Sequence, residues 1–157
     1  MKINIVCAGK MKEKYFLEAQ KEYVKMLGRF CDVTITEIPD EPLSNIKSSA
    51  DEQGALMREG DKILPKLKGY VIAADVKSKE MTSEEFAEKI NSLMNGGISE
   101  ITFVVGSSLG MAKSVKQRAD ARISFSKMTM PHRLFRIVLE EQLFRAFKII
   151  NKETYHK

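Results

Sequence analysis

Short apolar and β-branched runs alternate with longer amphipathic segments along the chain, and this alternation limits the fold more than any other feature. The runs end at turn residues such as Gly9 and Pro39. Predicted strands cover 2–8, 33–38, 70–75, 101–105 and 122–126, and predicted helices cover 12–27, 51–65, 83–94, 112–120 and a long segment from about 132. Such alternation predicts an α/β fold, in which helices cover both faces of a mainly parallel sheet.

Size and composition favour one domain. The chain has 157 residues, of which 43% are hydrophobic and 30% charged, so we expect 1–157 to fold around a single core. The N-terminal apolar run is too short for a signal peptide or a membrane span, which predicts a soluble, cytosolic protein without a membrane partner. Cys7 and Cys31 lack CxxC spacing and the histidines do not cluster with other ligands, so no metal is predicted.

The charges are distributed unevenly. Residues 111–157 contain eleven Lys and Arg against four Asp and Glu, whereas residues 1–110 contain fifteen against seventeen. All of the excess positive charge therefore lies in the last third of the chain. Such a distribution is typical either of a merely soluble surface or of a surface that faces a polyanion such as nucleic acid.

The predicted C-terminal helix is apolar on two sides. One stripe contains Phe135, Val138, Leu139, Leu143, Ala146, Ile149 and Ile150, and the opposite side contains Leu134, Ile137, Phe144 and Phe147. A helix of this kind is covered on both sides. The sheet is one cover, and we expect the other to be a second subunit or an unusual crossing of the chain. The helix charges are spaced for i, i+4 pairs, Arg136 with Glu140 and Glu141 with Arg145.

Ligands of parallel α/β folds bind beyond the carboxyl ends of the strands. Three predicted loops lie at such ends, at 75–81, 106–111 and 126–131. The second reads GSSLGMAKS over 106–114, which has neither the Walker A spacing nor GxGxxG. No GxSxG nucleophile elbow is present either. The remaining interpretations of this loop are a plain turn, or a bare backbone that a flat ligand can approach closely.

Several motifs in one order resemble a known family. They are the N-terminal strand with AGK, EIPDE at 37–41, FVVG at 103–106, SFSKMTMPH at 124–132, an RxxLxEQLFRA-like pattern at 136–146 and the terminal YHK. Over its whole length the chain resembles the ribosomal large-subunit pseudouridine methyltransferase H family, in the SPOUT class of trefoil-knotted methyltransferases. The resemblance implies a C-terminal knot, a homodimer paired through the knot region, and S-adenosyl-L-methionine (SAM) as methyl donor. It implies N3-methylation of a pseudouridine in 23S rRNA on the assembled ribosome.

The resemblance also implies site residues. The SAM contacts correspond to Ala74, Gly106, Phe125, Ser126, Lys127, Met128, Thr129 and Met130. Two positions depart from the family pattern, because Ala74 stands where Leu is common and Ser107 stands where a second Gly is usual. The proton on pseudouridine N3 calls for a general base, and His132, Glu141 and His156 are the candidates.

Basic and aromatic side chains are the expected RNA contacts. Lys127, Arg133, Arg136 and Lys157 are candidates for phosphate binding. The tail Tyr155-His156-Lys157 combines an aromatic ring, a titratable group and a cation, and we expect it to complete the RNA side of a site in its own subunit or in its partner. The alternatives are a SPOUT enzyme that acts on tRNA and a ribosome-binding protein without enzymatic activity.

Overall fold

The computed structural model describes residues 1–155 and contains a five-stranded, wholly parallel sheet. The strands are β1 (Lys2–Ala8), β2 (Asp32–Ile38), β3 (Tyr70–Ala74), β4 (Glu100–Val105) and β5 (Ala121–Ile123), in the order β2-β1-β4-β3-β5. The predicted fold class is confirmed. The last strand is shorter than predicted, because the chain turns after Ile123 and the Ser124 hydroxyl donates to the carbonyl of Ser126.

Five α-helices connect and follow the strands. They are α1 (Lys14–Leu27), α2 (Ser49–Ile63), α3 (Ser83–Asn95), α4 (Lys113–Arg118) and α5 (His132–Ile150). The Thr82–Glu85 spacing predicts a capping box at the start of α3, and it forms, since each side chain bonds the other's backbone N–H. Two Pro and three Ser predict a loop over 39–50, but this segment contains one 3-10 turn at Leu43–Asn45 and its last two residues begin α2.

The two faces of the sheet carry separate cores. The core under α1, α3 and α5 includes Ile5, Phe103 and Leu143, and the core under α2 and α4 includes Val6, Val104 and Val115. The alternation of Ile5 with Val6 and of Phe103 with Val104 follows from the two-residue period of a strand. Both faces of the sheet are therefore covered, as the apolar strands require.

α5 packs between α1 and α3, and its second apolar side is covered only in part. Phe144 and Phe147 are buried within the same chain, where the ring of Phe30 stacks on Phe147 at 5.6 Å between centroids. Our expectation of an outside cover is therefore wrong for these two residues, because the turn after α1 reaches them. Leu134 remains 38% exposed and Ile137 is partly exposed.

One of the two predicted ion pairs on α5 forms. Glu141 and Arg145 are bonded, with a distance of 3.1 Å from Arg145 Nε to Glu141 Oε1. The pair of Arg136 with Glu140 does not form among the described residues. Instead, Arg136 reaches the carboxyl end of β1 and Glu140 accepts a hydrogen bond from Gln20 on α1 at 2.9 Å.

The segment between β5 and α5 runs along the connection that follows β3. The N–H of Ser124 donates to the carbonyl of Lys79 at 3.1 Å, and the N–H of Met81 donates to the carbonyl of Ser124 at 3.2 Å. This passage, together with the strand order, is consistent with the SPOUT knot. No helix among residues 1–155 is long and apolar enough to cross a membrane.

Candidate functional site

A cavity of about 490 Å³ lies at the carboxyl ends of β3, β4 and β5. The three loops that sequence analysis selected at the strand ends contribute to its walls. Seven of the eight predicted SAM contacts line it, namely Ala74, Gly106, Phe125, Ser126, Met128, Thr129 and Met130. Lys127 does not line the cavity, and its side chain is exposed. The structure thus places these residues around one space, while their contact with a cofactor stays a prediction.

The tight turn that follows β4, from Gly106 to Gly110, forms one wall of the cavity. The N–H of Ser107 donates to the carbonyl of Gly110 at 3.0 Å, and the N–H of Gly110 donates back to the carbonyl of Ser107 at 2.9 Å. A Cβ atom on Gly106 would overlap the carbonyl of Gly110, and Gly110 has a φ of +99°. Glycine at 106 is therefore required by the turn itself, and not only by the space for a ligand.

Sequence analysis missed the side chain that supports this turn. Glu59 on α2 is only 2% exposed, and its Oε2 accepts a hydrogen bond from the Ser107 hydroxyl at 2.8 Å. Its Oε1 accepts from the N–H of Glu41 at 3.0 Å. The signal in the sequence is a carboxylate at helical spacing between the apolar residues Ala55 and Ile63, on the buried stripe of α2.

The wall after β5 is stabilised by hydroxyl groups and aromatic rings. The Ser126 hydroxyl accepts a hydrogen bond from the N–H of Met128 at 2.9 Å. The ring of Phe125 lies between Phe86 and Phe135, with centroid distances of 5.2 and 5.5 Å. These contacts direct the chain around the cavity and leave Met128 77% exposed at its mouth.

An acidic residue on the cavity wall was also missed. Asp75 follows β3 and its Oδ2 lies 2.9 Å from Nζ of Lys116, which also lines the cavity. Burial works against ionisation of Asp75, but hydrogen bonds from Lys116 and the N–H of Lys77 outweigh it and lower the pKa of this carboxyl group. The cavity therefore contains a neutralised ion pair. A carboxylate directly after the third strand is the signal that was available in the sequence.

His132 is the base candidate that lies on the cavity. Its Nε2 is buried and has no hydrogen-bond partner. Burial, followed by the positive charges of Arg136 and Arg133, lowers the pKa of His132 below its usual 6.5, and the carboxylates of Asp40 and Glu13 oppose the shift. The imidazole is therefore neutral at neutral pH, which is the state that a general base requires.

The two predicted phosphate contacts on the first turns of α5 have different surroundings. Arg136 is fully buried, donates to Glu37 at 2.7 Å, and also donates to the carbonyls of Ala8 and Gly9. A guanidinium group without exposed surface has no free face for an RNA phosphate, so we correct this assignment and give Arg136 a structural role. Arg133 is partly exposed and pairs with Glu13 at the start of α1.

The base candidate Glu141 belongs to a second cluster. Its Oε1 accepts hydrogen bonds from Arg145 and from the hydroxyl of Tyr155 at 3.2 Å. The ring of Tyr155 lies under the guanidinium of Arg145, at 4.9 Å from its centroid. Nine residues of helix separate His132 from Glu141, about 13 Å along the axis, so this cluster lies away from the cavity of its own chain. The candidates His156 and Lys157 lie outside the described residues.

The cavity has the features of a site for an organic ligand. Its walls combine apolar side chains with bare backbone at Gly106 and Gly110, which suits a flat, partly polar molecule. Among residues 1–155, no group of three or more His, Cys, Asp or Glu is placed to hold a metal ion.

Comparisons with known proteins agree with this architecture. Residues 1–156 match the family model described as "Predicted SPOUT methyltransferase". Three relatives named Ribosomal RNA large subunit methyltransferase H, from Limosilactobacillus reuteri, Lactobacillus helveticus and Levilactobacillus brevis, are 50%, 48% and 47% identical over 159 residues, which cover 100% of both chains in each case.

A solved structure shows the same fold at low identity. A methylase family protein from Neisseria gonorrhoeae superposes with a TM-score of 0.52 and 10% identity, over 90% of this chain and 81% of the other. The full-length family match and the relatives at about half identity show more than the fold. The chain belongs to the SPOUT family of methyltransferases.

Proposed function

We propose that this methyltransferase uses SAM to methylate N3 of a pseudouridine in 23S rRNA on the assembled ribosome. The observation that carries the proposal is the cavity at the carboxyl ends of β3, β4 and β5. It gathers seven residues that correspond to SAM contacts in the family that the chain resembles. The names of the full-length relatives support ribosomal RNA of the large subunit as the substrate.

The residues of the cavity fit SAM as its occupant. The volume of about 490 Å³ lies in the range of small-molecule sites. The turn at Gly106–Gly110 offers backbone that can approach a flat base closely, and Ala74, Ile123 and Met130 offer apolar surface. When bound, SAM supplies a methyl group that is already activated by the positive sulfur. The task of the protein is therefore to bind and orient the donor and the nucleophile.

His132 is the base that the geometry favours. The residue lines the same cavity and its imidazole is neutral at neutral pH, and its buried, unpartnered Nε2 lies on the side of Gly9 and Asp40. In this mechanism the imidazole of His132 accepts the proton that leaves pseudouridine N3 as the methyl group is transferred, which requires the ring to present a nitrogen to the cavity. Glu141 is bonded to Arg145 and Tyr155 and lies along α5 from the cavity, so it acts only if a second subunit brings it to the site.

A homodimer accounts for the remaining apolar surface. Tyr15 at the start of α1 is 64% exposed and Leu134 on α5 is 38% exposed. The ion pair of Arg133 with Glu13 holds the starts of these two helices together, so the two exposed residues lie on neighbouring turns. A second copy would cover these turns and would allow the tail of one subunit to reach the cavity of the other.

The positive charge near the cavity favours an RNA partner. Lys127 is exposed beside the cavity and Arg133 is partly exposed on the first turn of α5. Their exposure supports both as proposed phosphate contacts, and Lys157 is the third proposed contact. Phosphate contacts position an RNA and leave the choice of base to the pocket.

Two assays separate this proposal from the alternatives. Isothermal titration with SAM should show one site per chain, and methyl transfer from labelled SAM should reach 70S ribosomes but not tRNA. Transfer to tRNA alone would favour a different SPOUT substrate. Ribosome binding without SAM binding would favour a protein that has no enzymatic activity.

A further inference from the structure

The buried carboxylate of Glu59 joins two segments that are distant in the sequence. It lies on α2, which covers the face of the sheet opposite to α5, and it is 2% exposed. One oxygen accepts from the Ser107 hydroxyl at 2.8 Å and the other accepts from the N–H of Glu41 at 3.0 Å. No ion pair to Glu59 is present among residues 1–155, so both of its bonds are made to neutral groups.

The bond to Ser107 continues into the turn on the cavity wall. The Ser107 hydroxyl donates to Glu59, and the same oxygen accepts from the N–H of Leu109 at 3.3 Å. Because the hydroxyl hydrogen is directed to the Glu59 carboxylate in a hydrogen bond, the lone pairs of Ser107 Oγ are available to accept from the N–H of Leu109. Together with the two backbone bonds between Ser107 and Gly110, this chain of hydrogen bonds determines the shape of the turn.

The bond to Glu41 reaches the other side of the site. Asp40, the preceding residue, and His132 both lie against Gly9, because a Cβ atom on Gly9 would meet His132 Nε2 at 3.1 Å and Asp40 Oδ2 at 3.2 Å. The Glu41 side chain is held separately, by Arg58 at 3.0 Å and Lys62 at 3.1 Å. Glu59 therefore holds both the turn after β4 and the segment that lies beside the base candidate.

We propose that Glu59 is a positioning residue for the methyl-donor pocket, which acts through the Ser107 hydroxyl to hold the turn 106–110 in its binding shape. The inference rests on the proposed function, since it takes SAM as the ligand of that pocket. It also explains how the turn accommodates Ser107 at a position where a second Gly is usual, because the serine hydroxyl donates to a buried acceptor.

The test is a double-mutant cycle on SAM affinity. Ser107→Ala removes the hydroxyl, and Glu59→Gln keeps the size of the side chain while removing one strong acceptor. Each change should weaken SAM about tenfold, which is roughly 1.4 kcal/mol. The double variant should be no weaker than either single variant, because both changes break the same chain of bonds. S-adenosyl-L-homocysteine, the demethylated product, should lose affinity by the same factor.

The matched control is Glu52→Gln, the same substitution at an exposed position of the same helix, and it should leave SAM affinity unchanged. An unchanged SAM affinity in either folded single variant would overturn the proposal. So would additive losses in the double variant. A loss of affinity for SAM but not for the uncharged product would also overturn it, in favour of a simple charge effect on the sulfonium.

Hydrogen exchange separates failure of this inference from failure of the proposed function. The amides of Leu109 and Gly110 should exchange slowly in the wild type and faster in both variants, with or without ligand. If the wild type bound no SAM while these amides still responded, the proposed function would fail and the positioning role would stand. If SAM bound but the amides did not respond, the positioning role would fail alone.

Discussion

Each half of α5 contains an Arg and a Glu four residues apart, but the hydrogen-bond partners of these charged groups differ between the halves. In the first half, Arg136 and Glu140 are both fully buried, and each bonds to a residue of a different element. In the second half, Glu141 and Arg145 retain 18% and 25% of their side-chain exposure and bond to each other. The comparison teaches that i, i+4 spacing permits an ion pair, whereas burial and the competing acceptors determine whether it forms.

Two physical reasons separate the halves. The orientation with Glu before the cation is the favourable one along a helix, and only the second pair has it. In addition, the first half faces the carboxyl end of β1, where the carbonyls of Ala8 and Gly9 need a donor. Arg136 donates to these carbonyls and to Glu37, so Glu140 accepts its hydrogen bond from Gln20 on α1 instead.

The largest expected difference between the halves is in stability. Arg136→Leu would remove the cation that pairs with Glu37, which would keep only the N–H of Met11, and would remove a donor from two carbonyls. We expect it to lower the free energy of unfolding by about 3–5 kcal/mol. Arg145→Leu, which breaks a partly exposed pair, should cost about 1 kcal/mol or less. Urea denaturation of the two variants measures both values. Equal losses would show that the two halves are energetically alike.

The next effect concerns catalysis in the first half. His132→Gln should reduce methyl transfer at saturating SAM by about a hundredfold, roughly 2.7 kcal/mol in the transition state, while SAM affinity stays near the wild-type value. Because burial and the nearby Arg residues lower the pKa of His132 from its usual 6.5, the loss of wild-type activity on acidification should occur at a lower pH than the titration of a free imidazole. A full rate in the variant would exclude His132 as the base.

Glu140 in the first half should make the stability of the protein depend on pH. Burial raises the pKa of Glu140 to about 7 from 4.5, and the bond from Gln20 and the charge of Arg136 offset only part of this rise. Its contribution to stability is thus fully present below pH 4.5 and is lost as pH rises through about 7. Glu140→Gln should remove this loss and raise the free energy of unfolding at pH 8 by about 1–3 kcal/mol.

The control for that prediction is Glu141→Gln, which should not stabilise the protein at pH 8, because it breaks the bonds to Arg145 and Tyr155. Thermal melts of both variants at pH 5 and pH 8 compare them directly. If Glu140→Gln had the same effect at both pH values, the buried carboxyl group would not titrate in this range.

The smallest expected effect concerns the tail, in which Tyr155 packs on the second half. Deleting residues 155–157 removes Tyr155 from Glu141, Phe144 and Arg145. We expect about a tenfold loss of methyl transfer to ribosomes, roughly 1.4 kcal/mol, with SAM affinity and the sedimentation of the proposed dimer unchanged. Full activity of the shortened chain would show that the tail only caps the helix.

The sequence by itself determined the fold class, the order of strands and helices, and the three loops of the cavity. These follow from local rules, since strand and helix periods and turn residues are visible in any short window. The prediction that Glu141 pairs with Arg145 succeeded for the same reason, because both partners lie on one helix.

Only the tertiary structure decided which distant groups meet. Glu59 and Ser107 are far apart in the chain, as are Arg136 and Gly9, and no local pattern states that they share a hydrogen bond. The path of the segment after β5 beside the β3–α3 connection is of the same kind, because threading leaves no local signal. Buried polar groups take the partners that the packed fold offers, since an unpaired group in the interior is costly. The choice of partner is therefore made by the fold as a whole.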